Sequence, residues 1–231
     1  MPRPYVLLSV ATSIDSRIDD TSAERLLLSN PADFDRVDQV RAESDAILIG
    51  AGTIRADNPR LLVNSAARRA ARVAAGKPEY PLKVTISASG DLDPGAKFWH
   101  HGGAKLAYTT DTTVEKLRER LAGLADVVTL GPAVDFGRML DDLGGRGVER
   151  LMVEGGSSIH TAFLSEGLAD ELHLAIAPLI VGQADAPAFL HPATYPGGPR
   201  RRMRLAAVIP VGDVVVLRYL PKQESVPDGA Q

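Results

Sequence analysis

Six short runs rich in Val, Leu and Ile recur at Tyr5–Val10, Ala46–Ile49, Leu82–Ile86, Lys105–Tyr108, Asp126–Leu130 and Arg150–Val153. Each is followed by turn or helix chemistry, and runs of this length and composition read as strands. Helical patterns lie between them. Ser29-Asn30-Pro31 offers a cap and a first-turn Pro ahead of Phe34, Val37 and Val40 at helical spacing. Thr112 and Glu115 have the spacing of a capping box before Val114, Leu117 and Leu121, a face that can bury. Asp135 can cap Phe136–Leu143, and Gly144-Gly145 is expected to stop that helix. Strands alternating with helices predict an α/β fold on a largely parallel sheet.

The end of the chain changes character. Glu171–Ala177, Arg204–Ile209 and Val214–Leu220 read as strands with no long helix between them, and the last two flank Pro210-Val211-Gly212-Asp213, a hairpin turn. The expectation is a mixed, mostly parallel sheet flanked by helices, with an antiparallel C-terminal edge. No linker composition divides the chain, so residues 1–220 read as a single domain. Pro221–Gln231 reads as a flexible tail.

Composition removes several function classes. The sequence contains no Cys, which excludes thiol nucleophiles, disulfide frameworks and Cys-ligated zinc. With 26 basic against 29 acidic side chains, net −3, the chain lacks the positive field of a nucleic-acid binder, and small polar partners are expected instead. The apolar run near the N-terminus is about seven residues long before Asp15, too short for a membrane span or a signal-peptide core. Cytoplasmic localisation follows by default. The arginines of Ser65–Lys77 and Pro199–Arg204 read either as a solvated face or as a polyanion contact. The five histidines show no metal-ligand spacing, and neither a G-x-S-x-G elbow nor a G-x-x-x-x-G-K-[ST] loop is present.

Three strand ends carry polar chemistry suited to the edge where open α/β sheets bind ligands. The most informative is Leu151–Leu164, in which an apolar strand runs into Glu154-Gly155-Gly156 and then a helix start at Ser157-Ser158. Two glycines let a ligand approach the backbone, and free N–H groups at a helix N-terminus favour an anion. The same residues also suit an ordinary strand-to-helix turn capped by a serine. Glu154 either accepts hydrogen bonds from its own turn or faces a ligand, since burial unpaired would be costly. Gly50-Ala51-Gly52-Thr53 is a second glycine turn, but Arg55 stands where a Rossmann fingerprint needs its third glycine, and Leu82–Ile86 ends without an acidic residue. The third turn is Ser13-Ile14-Asp15-Ser16-Arg17.

In this order, Asp15-Ser16-Arg17, the segment Ser44 to Pro59 containing Gly50-Ala51-Gly52-Thr53 and Asp57-Asn58-Pro59, and Val153-Glu154-Gly155-Gly156 resemble the reductase domain of the bacterial riboflavin-biosynthesis deaminase/reductase. Glu166–Leu172 and Ile176–Gly182 are also similar to that family, and the resemblance covers about residues 4–220. It implies a dihydrofolate-reductase-like fold, with residues 1–220 as one reductase domain. It also implies NADPH-dependent reduction of the ribosyl group of 5-amino-6-(5-phosphoribosylamino)uracil, or of its diaminopyrimidine precursor, to ribityl, and a homodimer. Under the resemblance Thr53, Asp57 and the run Gly155, Gly156, Ser157, Ser158, Ile159, His160, Thr161 and Ala162 contact the cofactor. Ser87 and Ser89, just after Leu82–Ile86, suit either its 2′-phosphate or an ordinary turn. Arg41, Leu61 and Glu154 match substrate-side positions, and Asp57, Arg17 and Glu154 are the candidates for stabilising developing charge.

Two departures bear on the substrate. The family's usual Asp-Gly-Lys is Asp15-Ser16-Arg17, and Arg keeps the charge but releases no proton near neutral pH. Leu26-Leu27-Leu28-Ser29 stands where the family often has Trp. These departures leave two alternatives: the same fold and cofactor acting on dihydrofolate, or a non-catalytic NADP-binding protein.

Overall fold

The computed structural model describes residues 2–224, and its strands follow the sequence expectations closely. They are β1 (Tyr5–Thr12), β2 (Ala46–Gly50), β3 (Leu82–Ile86), β4 (Lys105–Thr109), β5 (Asp126–Thr129), β6 (Arg150–Gly155), β7 (Glu171–Ile176), β8 (Met203–Val211) and β9 (Val214–Glu224). The helices are α1 (Pro31–Glu43), α2 (Ala51–Asp57), α3 (Ala66–Ala74), α4 (Lys97–His100), α5 (Val114–Arg120), α6 (Phe136–Gly145) and α7 (Ser157–Ser165). Internal contacts divide the chain into two compact units. The first takes the residues up to Tyr5 with Arg36–Gly156, and the second takes Val6–Asp35 with the residues from Ser157 onward.

The first unit carries five parallel strands in the order β5-β4-β3-β2-β6. All five residues of β2 are buried, as expected of a parallel strand covered on both faces, and this explains its unbroken apolar run. In the second unit β1 pairs in parallel with β7, β7 pairs antiparallel with β9, and β9 forms a hairpin with β8. Five of these seven pairings are parallel and the two antiparallel ones lie at the C-terminal end, so the sheet structure is mixed and mostly parallel as expected.

Local chemistry explains most boundaries. Asn30 accepts the Asp33 N–H at 2.8 Å ahead of Pro31, so α1 starts with a side-chain cap and a first-turn proline. Asp135 caps α6 through the Arg138 N–H at 2.9 Å. The hairpin turns at Gly212-Asp213, with Val211 paired to Val214 and Gly212 at φ +65°.

Four expectations change. Phe34 is 47% exposed, so the buried face of α1 is narrower than its periodicity suggested. The capping box does not form, because α5 starts after Thr113 with no side-chain cap and the Thr112 hydroxyl lies against that of Thr110. Gly144-Gly145 does not stop α6, which runs through Gly145; a Cβ on Gly144 would overlap the Pro2 carbonyl, so this glycine is required by packing. Pro221–Glu224 belongs to β9 instead of a tail, and the remainder of that expected tail lies outside the described residues.

Candidate active site

In the first unit the site begins at an irregularity in β6. Leu48 pairs with Val153 and Ile49 with Gly155, which leaves Glu154 as an extra residue in the ladder. Such a bulge re-aims the side chain it carries. Glu154 receives both Nε and Nη2 of Arg41, each at 2.6 Å, while Arg41 Nη1 donates to the Leu62 carbonyl at 3.0 Å. The side chains are 19% and 13% exposed, so this is a largely desolvated bidentate pair. Burial alone would lower the Arg41 pKa, but the adjacent Glu154 carboxylate outweighs it and holds the guanidinium above its ordinary value. Glu154 is therefore satisfied by α1, neither by its own turn alone nor by solvent, and Arg41 is not a solvated helix residue.

The next two residues form the glycine turn. Gly155 has φ +132°, a conformation that side chains rarely adopt, and the Gly155–Gly156 peptide is cis. A Cβ on Gly156 would lie 3.3 Å from the Thr53 hydroxyl oxygen, so backbone and side chain already approach closely. Thr53 and Asp57 are one turn apart on α2, which starts directly after β2, and both are partly buried. Asn58 ends α2 in a left-handed conformation at φ +42°. Leu61 follows at φ +51° with only 6% of its surface exposed. Ser87 is buried at the end of β3, where its N–H donates to the Tyr108 carbonyl at 3.0 Å.

The second unit organises the remaining candidates around the segment Ala186–His191. Arg17 Nη1 donates to the Ala186 carbonyl at 2.6 Å, and Arg17 also bridges to Ala188 through the backbone. The Phe189 N–H donates to the Ser16 carbonyl. At the other end of the segment the Ser157 hydroxyl donates to the Ala188 carbonyl, and Thr161 Oγ1 accepts the His191 N–H at 2.9 Å. The Asp15-Ser16-Arg17 turn and the start of α7 are thus held by one strap. Asp15 accepts from the Ser13 hydroxyl at 2.6 Å and from the backbone N–H groups of Gly182 and Val181, and these bonds hold its carboxyl far below the usual range. Ser16 sits at φ +61°, at the position where the resembling family usually has Gly.

The α7 residues divide by exposure. Ser158 is open and Ser157, Thr161 and Ala162 are partly so, whereas Ile159 and His160 are buried. Only their main chain is available to a ligand. His160 is 1% exposed, has no hydrogen-bond partner for either ring nitrogen, and stacks edge-on to Phe189 at 5.6 Å; burial pushes it down to about 4.

Sequence reasoning missed three side chains that build these surroundings. Asp38 accepts the backbone N–H groups of Asn64 and Ser65 and pairs with Arg68. Arg72, 4% exposed, donates to the carbonyls of Ala42, Ser44 and Pro78. Lys83, 1% exposed, donates to the Arg60 and Phe98 carbonyls. For Lys83 the available signal was a cation inside an apolar strand run. The arginines of α3 bond to their own chain, Arg68 to Asp38, Arg69 to the Val63 and Asn64 carbonyls and Arg72 to the Ala42, Ser44 and Pro78 carbonyls, so they are not a plain solvated face.

The glycine turn fits a dinucleotide diphosphate. Gly156 precedes α7 and has no side chain to cap it; Asn30, Ser65 and Asp135 cap α1, α3 and α6, whereas α2, α4 and α5 also start without a side-chain cap. A helix start behind a glycine turn suits an anion, because its first N–H groups have no partner within the helix. A mixed, mostly parallel α/β sheet with such a turn, and a buried Arg–Glu pair next to it, agree with the dihydrofolate-reductase-like fold that the resemblance implies.

Comparison with known proteins gives the family. The RibD C-terminal domain family matches residues 4–217, and the chain belongs to it. A relative from Archaeoglobus fulgidus, 2,5-diamino-6-ribosylamino-4(3H)-pyrimidinone 5′-phosphate reductase, is 36% identical over 80% of this chain and 85% of its own. The protein of the same name from Methanothermobacter thermautotrophicus is 35% identical over 80% and 82%. Among solved structures, Acinetobacter baumannii RibD superposes with a TM-score of 0.78 at 27% identity, covering 96% of this chain. This chain spans 59% of that longer protein.

Proposed function

We propose that the protein is an NADPH-dependent reductase of riboflavin biosynthesis that converts the ribosyl group of a phosphorylated ribosylaminopyrimidine to ribityl. The 2,5-diaminopyrimidinone is the preferred acceptor, because the relatives at 36% and 35% identity carry that name. The observation that carries the reading is the glycine turn: Gly156 lies close to Thr53 and leads directly into an α7 N-terminus with no side-chain cap. Gly155, Gly156, Thr53 and the main chain of Ser157 to Ala162 hold the cofactor, with Ser87 at the 2′-phosphate. When bound, the nicotinamide supplies the hydride. The chain's own contribution is to hold the reactants in register and to stabilise developing charge.

Arg41, fixed by Glu154, presents a permanent positive charge to substrate oxygens. Asp57 and Arg17 are the further candidates for stabilising developing charge, and Arg17 would do so without exchanging a proton. The protein works in the cytoplasm as a homodimer on a small-molecule substrate, with neither nucleic acid nor membrane as partner. The test is a titration of purified protein with NADPH and NADH, followed by addition of the diaminopyrimidinone phosphate and of dihydrofolate. Tight NADPH binding with oxidation only on adding the pyrimidine is expected. Oxidation by dihydrofolate alone, or binding without turnover, would overturn the reading.

A further inference from the structure

The segment between α2 and α3 has no ladder of its own in the sheet, yet it contains two non-glycine residues at positive φ, Asn58 and Leu61. Side chains from other elements hold it. Asn58 Oδ1 accepts the Lys97 N–H at 2.8 Å, Arg41 grips the Leu62 carbonyl, and Asp38 takes the Asn64 and Ser65 N–H groups. The remaining anchor is Lys83, which enters from β3. Its Nζ donates to the Arg60 carbonyl at 3.0 Å and to the Phe98 carbonyl, and it stands 4.4 Å from the centre of the Phe98 ring. Among the described residues no carboxylate pairs with this ammonium; the charged group that bears on it is Lys105 on β4. Burying an ammonium on carbonyls alone is costly, so its location calls for a role beyond filling space.

The anchors are arranged around Leu61. Lys83 holds the carbonyl of Arg60, the residue before Leu61, and Arg41 holds the carbonyl of Leu62, the residue after it. The Arg41 on the second carbonyl is the same guanidinium that Glu154 fixes beside the glycine turn. We propose that Lys83 is a positioning residue for the pyrimidine site: by holding the Arg60 and Phe98 carbonyls it keeps Leu61 in its left-handed conformation beside the Arg41–Glu154 pair. It does not touch substrate and acts through that segment. The inference rests on the functional reading above, in which Arg41, fixed by Glu154, faces the substrate, and on the resemblance, which implies that Leu61 is a substrate-side position.

The test uses Lys83→Met, which keeps the aliphatic stem and removes every donor, and Lys83→Arg, which keeps a buried cation able to reach carbonyls. Circular dichroism first establishes that each is folded. KM and kcat for the diaminopyrimidinone phosphate and the Kd for NADPH are then measured. Lys83→Met is expected to raise KM tenfold or more while leaving the NADPH Kd within twofold, and Lys83→Arg to recover most of that loss. An unchanged KM in folded Lys83→Met would overturn the role, as would a parallel loss of NADPH binding. If Lys83→Met does not fold, Lys83→Gln, neutral but with an amide donor, is held to the same split. Failure of both neutral variants to fold makes Lys83 a folding determinant only and overturns the proposal. Absence of turnover in the wild-type protein refutes the functional reading itself, whereas turnover with an unchanged KM in Lys83→Met refutes only the part given to Lys83.

Discussion

Truncating Glu154 to Ala removes two charge-assisted bonds of 2.6 Å and leaves Arg41 with the Leu62 carbonyl alone. Removing one partner of a buried pair costs about 3–5 kcal/mol, because the other charge stays desolvated. The remaining exposure of 19% and 13%, together with the retained Leu62 bond, places this pair at the lower end, about 3 kcal/mol. In a domain of this size that corresponds to a fall of roughly 6–12 °C in Tm. Replacing both partners, as Arg41→Met with Glu154→Leu, removes the stranded charge and should recover about half of the loss. Urea unfolding of the wild type, Arg41→Met, Glu154→Leu and the double variant closes a cycle that measures the coupling directly; with each single variant at about 3 kcal/mol and the double at about 1.5 kcal/mol, a coupling of about 4–5 kcal/mol is expected. A coupling below about 0.5 kcal/mol, the range of exposed ion pairs, would refute the argument that the pair is desolvated.

Gly156→Asp puts a carboxylate where the diphosphate is proposed to lie, on a Cβ already 3.3 Å from the Thr53 hydroxyl; NADPH affinity should fall at least tenfold, about 1.4 kcal/mol, and unchanged affinity would remove the cradle. Ser16→Gly relieves a serine held at φ +61° and should raise the urea midpoint, by about 0.5–1 kcal/mol in stability; a lowered midpoint would contradict the strain. Burial lowers the His160 pKa from 6.5 to about 4, so as pH falls the unfolded chain takes up that proton first. His160 therefore costs no stability above pH 6.5 and up to about 3 kcal/mol as the pH falls towards 4. His160→Phe should flatten this part of the stability–pH curve, and an unchanged acid limb would contradict the assignment.

The sequence made the strands legible because buried parallel strands carry unbroken Val, Leu and Ile runs, as β2 does over all five residues. Caps were legible where the capping side chain and its target lie in one short stretch, as with Asn30 and Asp135. The Thr112–Glu115 pair failed the same test because hydroxyls from Thr110 and Thr113 gather on one another and on the Ala88 carbonyl. Motifs located Glu154, Gly155 and Gly156, but not the partner of Glu154 as such, since Arg41 lies 113 residues away. Lys83, Asp38 and Arg72 escaped for the same physical reason. Their partners are mostly main-chain groups, which leave no complementary residue type in the sequence to read.

The proposed reaction is transfer of a hydride from NADPH to the sugar of a phosphorylated ribosylaminopyrimidine. The most direct measurement is to supply NADPH deuterated at the transferable position with the diaminopyrimidinone phosphate and to analyse the product by mass spectrometry and NMR. A ribityl product carrying one deuterium on the sugar carbon bonded to the amine nitrogen is expected. A product without deuterium, or deuterium recovered only in the cofactor, would contradict it.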